Sequence, residues 1–567
     1  MQDKVPVIDE RFAGKDEWRV RSGVLPFLRE WELRSPYFGP MDRSSTHRDG
    51  RNGPRTGSIH RSRGRQSTSV KPQGKAGERF RTDLKDVVAR YGKQTSPAHK
   101  RFFWSLILAG AALRAWLVWQ PITHDEAAAY MAFATQDIRG LLSDYSLPGN
   151  HIFHTLLTKW STGLFGSNVV GLRLPAFVAG VAVLPVFYLL VRSLFNRYIA
   201  LMALAMAAGF PPLAELSAMA HGYSLSWLFL MLSFVLARHF VRENNGFTVI
   251  LMGVAGALAM WSQPTAMFGM IMVYLWTLFS MLTKYDRSLG ERLALLGAGL
   301  LVFLLVSVLL YLPVVIDHGA DQLFRHASEG ERNWRTFTAG YPDKVLDLWM
   351  WIADPVGWVV AVLGFIGLFQ ATYVSAKYRT LLIALALGAI PLSLVLADAG
   401  DPWQWSYTVF FFMIGGAIGL FYLLKFIQDK LLPRLGKRTR TNWAALVLFL
   451  GFSIPGSTVV RNRVNHLPEA AACAQELVSG MHPSDRLCMD AFWEAPVAFE
   501  LRGRGVDAAS LTGRPEHGGL LFVVWNDQKG ATPDLAIMRC DLHIRDFETP
   551  NVVRDWPRME IFAARSR

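Results

Sequence analysis

Two adjacent carboxylates, Asp125 and Glu126, follow Thr123-His124 at the head of a stretch with helical apolar period. A carboxylate within about 3 Å of a hydroxyl can take its proton as that oxygen attacks an electrophile. Two acids in a helix's first turn also suit the macrodipole, so capping alone would explain the pair. A second polar group, Gly149-Asn150-His151-Ile152-Phe153-His154, stands before another helical stretch that carries Lys159. His151 and His154, three residues apart, could share a metal, although no third ligand is placed by sequence and the reading requires no cofactor. His221 and Tyr223 form a third polar island. Further along, Arg325, Arg332 and Arg335 offer guanidinium groups, which grip phosphate oxygens bidentately and stay charged.

These residues must be positioned by a membrane-bound scaffold. The 567 residues are 51% apolar and 18% charged, against roughly 25% charged in soluble domains. From Phe102 onward, eleven apolar runs recur, near 102-119, 172-193, 198-213, 223-241, 247-264, 265-283, 291-316, 356-374, 379-397, 406-427 and 442-460. A helix needs about 20 residues to cross the bilayer core, so the fold class expected is a polytopic α-helical membrane protein of about eleven spans. The polar groups fall in two long connections, 120-171 and 317-355. The first holds two amphipathic stretches, Tyr130 to Tyr145 and Phe153 to Leu164, suited to lying in the interface.

Charge sets the expected orientation. The net charge of +14 is uneven: residues 1-101 hold 23 Lys and Arg against 12 Asp and Glu, whereas 461-567 hold 13 against 15. The basic segment, rich in Ser, Gly and Arg over 41-79, reads as a largely disordered cytoplasmic tail facing anionic lipid. It lacks aromatic interleaving, so nucleic acid is not expected as a partner. No apolar stretch follows Met1, and no cleavable signal is expected there. With the N-terminus inside, fifteen Lys and Arg fall in the inner loops and none in the short outer turns 214-222, 262-264 and 398-405. The positive-inside rule then places 120-171, 317-355 and the C-terminal region outside, in the cell membrane. Arg114, one turn from the inferred outer end of the first span, is expected to snorkel.

Residues 461-567 read as a small extracytoplasmic α/β domain. Pro468 to Ser479 has helical period; Leu520 to Trp525, Leu535 to Met538 and Met559 to Ala563 read as strands. Its three cysteines allow a Cys473-Cys488 pair that leaves Cys540 free.

The ordered set of motifs resembles a known family. Asp125-Glu126 after the first span, Gly149-Asn150-His151, Phe165-Gly166-Ser167, Leu172-Arg173-Leu174-Pro175-Ala176-Phe177 and Ala220-His221-Gly222-Tyr223 look like the GT-C glycosyltransferases of the dolichyl-phosphate-mannose protein mannosyltransferase type. The likeness runs from about Ala109 to Arg242, and beyond Gln263-Pro264 it fades to a shared hydropathy plan. It implies inverting transfer of a sugar from a polyprenyl-phosphate donor to a glycan, lipid or protein acceptor at the outer face. Asp125 matches the acid taken as general base and Glu126 its neighbour; His124, Asn150, His151, His154, Lys159, His221 and Tyr223 would then contact substrate. His221 stands where relatives often have Arg, and Asn150-His151-Ile152 where protein mannosyltransferases have His-Pro-Pro, so donor or acceptor differs from theirs. No Asp-x-Asp motif occurs, which favours a lipid-linked donor over a nucleotide sugar, with a divalent metal left open. A lipid-glycan flippase, a transporter or a non-enzymatic scaffold is the competing class.

Overall fold

A computed structural model of the chain describes residues 76-146, 149-282, 289-325, 334-396, 401-430, 439-525 and 533-567. Most of the basic tail, 1-75, lies outside the described residues, while Ala76–Lys93 is a helix preceding the first apolar one. Each of the eleven apolar runs is helical. Among the described residues, five helices are long and apolar enough to cross a membrane: Pro97–Val118, Val169–Leu194, Tyr223–Glu243, Leu289–His318 and Pro402–Gln428. Ala361–Val374 and Ala376–Pro391 meet at 116° and make a sixth span if the bent pair is one unit. The remaining apolar helices, Arg197–Gly209, Gly246–Ser262, Ala266–Leu282 and Asn442–Ile454, are shorter than the roughly 20 residues a straight crossing needs.

Local sequence sets the boundaries. Ser96 accepts from the His99 N–H ahead of Pro97, while Asn168, Asn196 and Asn245 cap the next helices through their side-chain oxygens. Such caps satisfy first-turn donors that have no partner within the helix. Arg197–Gly209 ends where Pro211-Pro212 forbids continuation. Its last carbonyls need donors, and Arg114 supplies them, bonding to Ala207, Ala208 and Gly110 oxygens. Arg114 is therefore 1% exposed and fixed between two helices, correcting the snorkelling expectation.

Helix packing here relies on interlocking shape and a few polar links, since lipid tails remove the usual hydrophobic drive. Phe410 contacts Phe187 and Trp227, with ring centroids 5.0 and 5.6 Å apart. The Trp227 indole donates to Ser406 at 3.0 Å. These contacts join Ser406–Lys430 to the helices of residues 169-194 and 223-243, each aromatic pair contributing about 0.5–1.5 kcal/mol beyond its buried area.

The C-terminal region carries a four-stranded sheet of order β1-β2-β4-β3, comprising Arg486–Met489 (β1), Leu520–Trp525 (β2), Asn551–Trp556 (β3) and Met559–Arg565 (β4). β1 runs parallel to β2, and the other pairs are antiparallel. Pro468–Gly480 and Ala491–Gly503 cover one face; Pro533–Arg539 covers the other. Leu535 to Met538 is thus helical, not a strand, with Ala536 and Ile537 buried against the sheet. The cysteine expectation is also corrected: Cys488 bonds to Cys540, and Cys473 is free and buried. Strand alternation gives the reason. Leu487 and Met489 face the core that holds Cys473, whereas Cys488 faces the opposite side with Ile537 and Leu542.

Candidate active site

The stretch expected as one helix over 130-145 is broken in two, and a further short helix precedes it. His124–Ala129 is α-helical, Tyr130–Ala134 takes a π turn, and Ile138–Ser143 starts afresh on the Asp137 cap. Lys159 stabilises the break, since its ammonium donates to the Ala134 and Gln136 carbonyls. That cation is spent on backbone. Asn150, only 2% exposed, likewise holds its loop by donating to Leu141 and Asp144 oxygens.

Asp125 and Glu126 face opposite environments. Thr123 caps the short helix in a reciprocal capping box with Glu126, which turns Glu126 inward and leaves Asp125 outward. The Asp125 side chain is 82% exposed, with His124 Nδ1 3.3 Å from its Oδ1. That hydrogen bond draws the Asp125 carboxyl below its ordinary value, against some desolvation, with His221 helping.

Glu126 is buried and saturated. Its Oε1 accepts from Arg173 Nε at 2.8 Å and the Ala220 N–H at 2.7 Å. Its Oε2 accepts from Arg173 Nη2 at 2.6 Å and from the Thr123 N–H and hydroxyl at 3.1 and 3.0 Å. Burial alone would raise this carboxyl, but the Arg173 charge, its hydrogen bonds and the Ala220 N–H outweigh burial and hold it at about 2. Both oxygens are occupied, so Glu126 has no free lone pair with which to accept a proton from substrate.

Arg173 is the residue that sequence reading passed over, although it stands inside one of the motifs behind the resemblance. It also donates to the carbonyls of Val118, Gln120 and Pro121. One guanidinium therefore ties the end of the first span to the helix of Asp125 and, through Glu126, to the loop at Ala220. The available signal was its type: an arginine five residues into an otherwise apolar helix must find partners.

His151, His221 and Tyr223 meet edge to face or tilted, with ring centroids 5.6 to 5.9 Å apart. Both imidazoles of the island are half-buried. Burial lowers the pKa of His151 well below its ordinary value and lowers that of His221, where Glu126 and Asp125 pull the other way. Gly222 makes the island close: a Cβ there would lie 1.8 Å from the Ser262 carbonyl oxygen and 3.1 Å from His151 Cβ. Gly222→Ala is expected to force the 220-223 loop away from His151 and lower the thermal midpoint in detergent by several degrees. An unchanged midpoint by intrinsic fluorescence would show that the loop yields freely.

The C-terminal region docks on the same loop. The His124 ring stacks on Phe492, centroids 5.1 Å apart and planes at 12°, while Tyr130 meets Phe499 edge-on at 5.3 Å. Leu467 N–H donates to the Ile122 carbonyl, and His466 contacts the Pro121 oxygen at 2.7 Å. No sequence pattern announced Phe492.

The structure therefore brings together His124, Asp125, Glu126, Asn150, His151, His154, His221 and Tyr223 in the region around 120-171. Arg335 lies exposed at the start of Trp334–Ala353. Arg332 and the Arg325 side chain lie outside what is described. Among the described residues, no cluster of three or more His, Cys, Asp or Glu is arranged to hold a metal.

Comparison with known proteins follows the same outline. The family described as dolichyl-phosphate-mannose-protein mannosyltransferase matches residues 150–311. No curated protein matches the chain significantly. Among solved structures, ArnT from Cupriavidus metallidurans bound to undecaprenyl phosphate superposes with TM-score 0.56 at 14% identity, covering 83% of this chain and 98% of that one. Its apo form gives 0.55 at 13% identity, covering 81% and 97%. The chain thus shares the fold of these two ArnT structures, and within it residues 150–311 match the dolichyl-phosphate-mannose-protein mannosyltransferase family.

Proposed function

We propose that the protein transfers a sugar from a polyprenyl-phosphate donor to a hydroxyl of a glycan, lipid or protein acceptor, with inversion, at the extracytoplasmic face. The observation that carries this reading is the division of labour between the two acids: Glu126 is saturated and immobile, and Asp125 is presented to solvent at the head of its helix. The acceptor oxygen forms its bond to the anomeric carbon as its proton passes to the Asp125 carboxylate, and the bond from that carbon to the phosphate oxygen breaks. Polyprenyl phosphate leaves with the bonding electrons. The ArnT structure with undecaprenyl phosphate supports a lipid phosphate as the leaving group, and the basic residues of alternate loops support an extracytoplasmic site.

Charge for the departing phosphate comes from elsewhere than the histidine island. Lys159 is held by backbone carbonyls, and His151 and His221 are kept uncharged by burial at neutral pH. The reading therefore assigns the phosphate to the arginines of 317-355, Arg325, Arg332 and Arg335. Purified protein incubated with a panel of polyprenyl-phosphate sugars should release polyprenyl phosphate from at least one, in an acceptor-dependent manner. Absence of release across hexose and pentose donors with glycan, lipid and peptide acceptors would overturn the reading.

A further inference from the structure

A narrow cavity opens behind the Asp125 helix, lined by Glu126, Tyr130, His154, Thr155, Thr158 and the small apolar residues between them. Its free space accommodates about one water or hydroxyl. Nearly every polar side chain around it is already engaged. Glu126 is saturated, Tyr130 bonds to Ser167 at 2.9 Å, and Thr155 donates to the His151 carbonyl at 3.2 Å. The exception is His154, 3% exposed, whose Nε2 has no partner.

The chemistry of that nitrogen follows from its surroundings. Thr158 Oγ1 lies 3.4 Å from His154 Nδ1, so that nitrogen has a partner in either tautomer and Nε2 is the ring's open hydrogen-bonding atom. Burial first, with His221 adding to it, lowers the His154 pKa to about 3, so the ring is neutral at physiological pH. An uncharged ring nitrogen in a wall that includes Ala129, Ala134, Leu172 and Ala220 offers no counter-charge. A phosphate or carboxylate entering here would lose its hydration without compensation. A neutral hydroxyl, which both donates and accepts, would gain one hydrogen bond and satisfy a buried polar nitrogen that otherwise costs stability.

Building on the glycosyltransferase reading, we propose that this cavity is a sugar-hydroxyl subsite, in which His154 Nε2 hydrogen-bonds to one uncharged hydroxyl of the transferred sugar. His154 then acts as a specificity-determining residue. Glu126, held in place by Arg173, forms part of its wall, and Asp125, the preceding residue, is exposed to solvent where the acceptor arrives.

The test uses full-length protein and the polyprenyl-phosphate sugar that the wild type turns over, together with its monodeoxy analogues. In wild type, removal of one particular hydroxyl should lower kcat/KM about 10- to 100-fold. In His154→Leu, which fills the volume without a donor, the ratio between parent and that same analogue should fall below about threefold, through loss on the parent sugar. His154→Gln, whose amide both donates and accepts, should recover part of the discrimination. Each ratio is taken within one variant, so differences in folded yield cancel. A discrimination equal in wild type and His154→Leu would overturn the proposal. So would the absence of discrimination at every position, since the cavity would then hold only an ordered water. Failure of wild type to release polyprenyl phosphate from any donor is a separate result, which removes the glycosyltransferase reading and this subsite with it.

Discussion

Asp125→Asn is expected to lower turnover about 100-fold or more, while the protein inserts, folds and binds lipid donor as before. Asn preserves size and hydrogen bonding but cannot accept a proton, and general-base catalysis is worth typically 10²–10⁴ in rate. The side chain is largely exposed, so no packing is lost. The pH dependence carries the same signature. Because His124 draws the Asp125 carboxyl below its ordinary value, the base remains ionised as pH falls through 5. The acid limb of kcat/KM should therefore lie below the usual carboxylate pKa of about 3.9. Single-turnover release of polyprenyl phosphate by wild type and variant measures both effects. Equal rates would remove Asp125 as base.

Removing the Arg173 guanidinium is expected to damage folding more than any change at Asp125. Arg173→Met leaves the Glu126 carboxylate buried and uncompensated, and orphans the carbonyls of Val118, Gln120 and Pro121. Breaking one side of a buried pair typically costs about 3–5 kcal/mol. The detergent-purified variant should show a sharply lower thermal midpoint or fail to accumulate. Glu126→Gln should do similar damage, because its amide nitrogen would face the donors Arg173, Ala220 and Thr123. Arg173→Met combined with Glu126→Leu should recover part of the loss, since both charges are gone. Full stability of Arg173→Met would show the tie to be dispensable. Acid acts on the same pair. With the folded carboxyl at about 2 and the ordinary value at 4.5, its stabilisation is complete above pH about 4.5 and fades as pH falls toward 2.

What could be read in advance was whatever depends on local pattern. Apolar runs gave the helices, and Thr123 to Glu126 reads as a helix start because a capping box is written in adjacent residues. The inward turn of Glu126 could not be read, since its partners Arg173 and Ala220 are 47 and 94 residues away. The same distance problem hid the stacking of Phe492 on His124. Residues 130-145 failed for a different reason: their helical period is real, but Lys159 terminates the chain direction from another helix. Cys488 was assigned the wrong partner because spacing says nothing of which sheet face a strand residue occupies. Leu535 to Met538 was misread because four apolar residues fit a buried strand and a one-face helix equally well.

The docking of the C-terminal region on the Asp125 loop also bears on biosynthesis. Pro121 and His466, which meet at 2.7 Å, are 345 residues apart in the chain. At the usual 5–20 residues per second, the ribosome takes about 20 to 70 s to travel from one to the other. Throughout that interval the loop carrying Asp125 lacks Phe492 and Phe499 beside it. The Asp125 carboxylate is therefore framed only when nearly the whole chain has been made, which delays completion of this region until the helices that must surround it have been delivered to the bilayer.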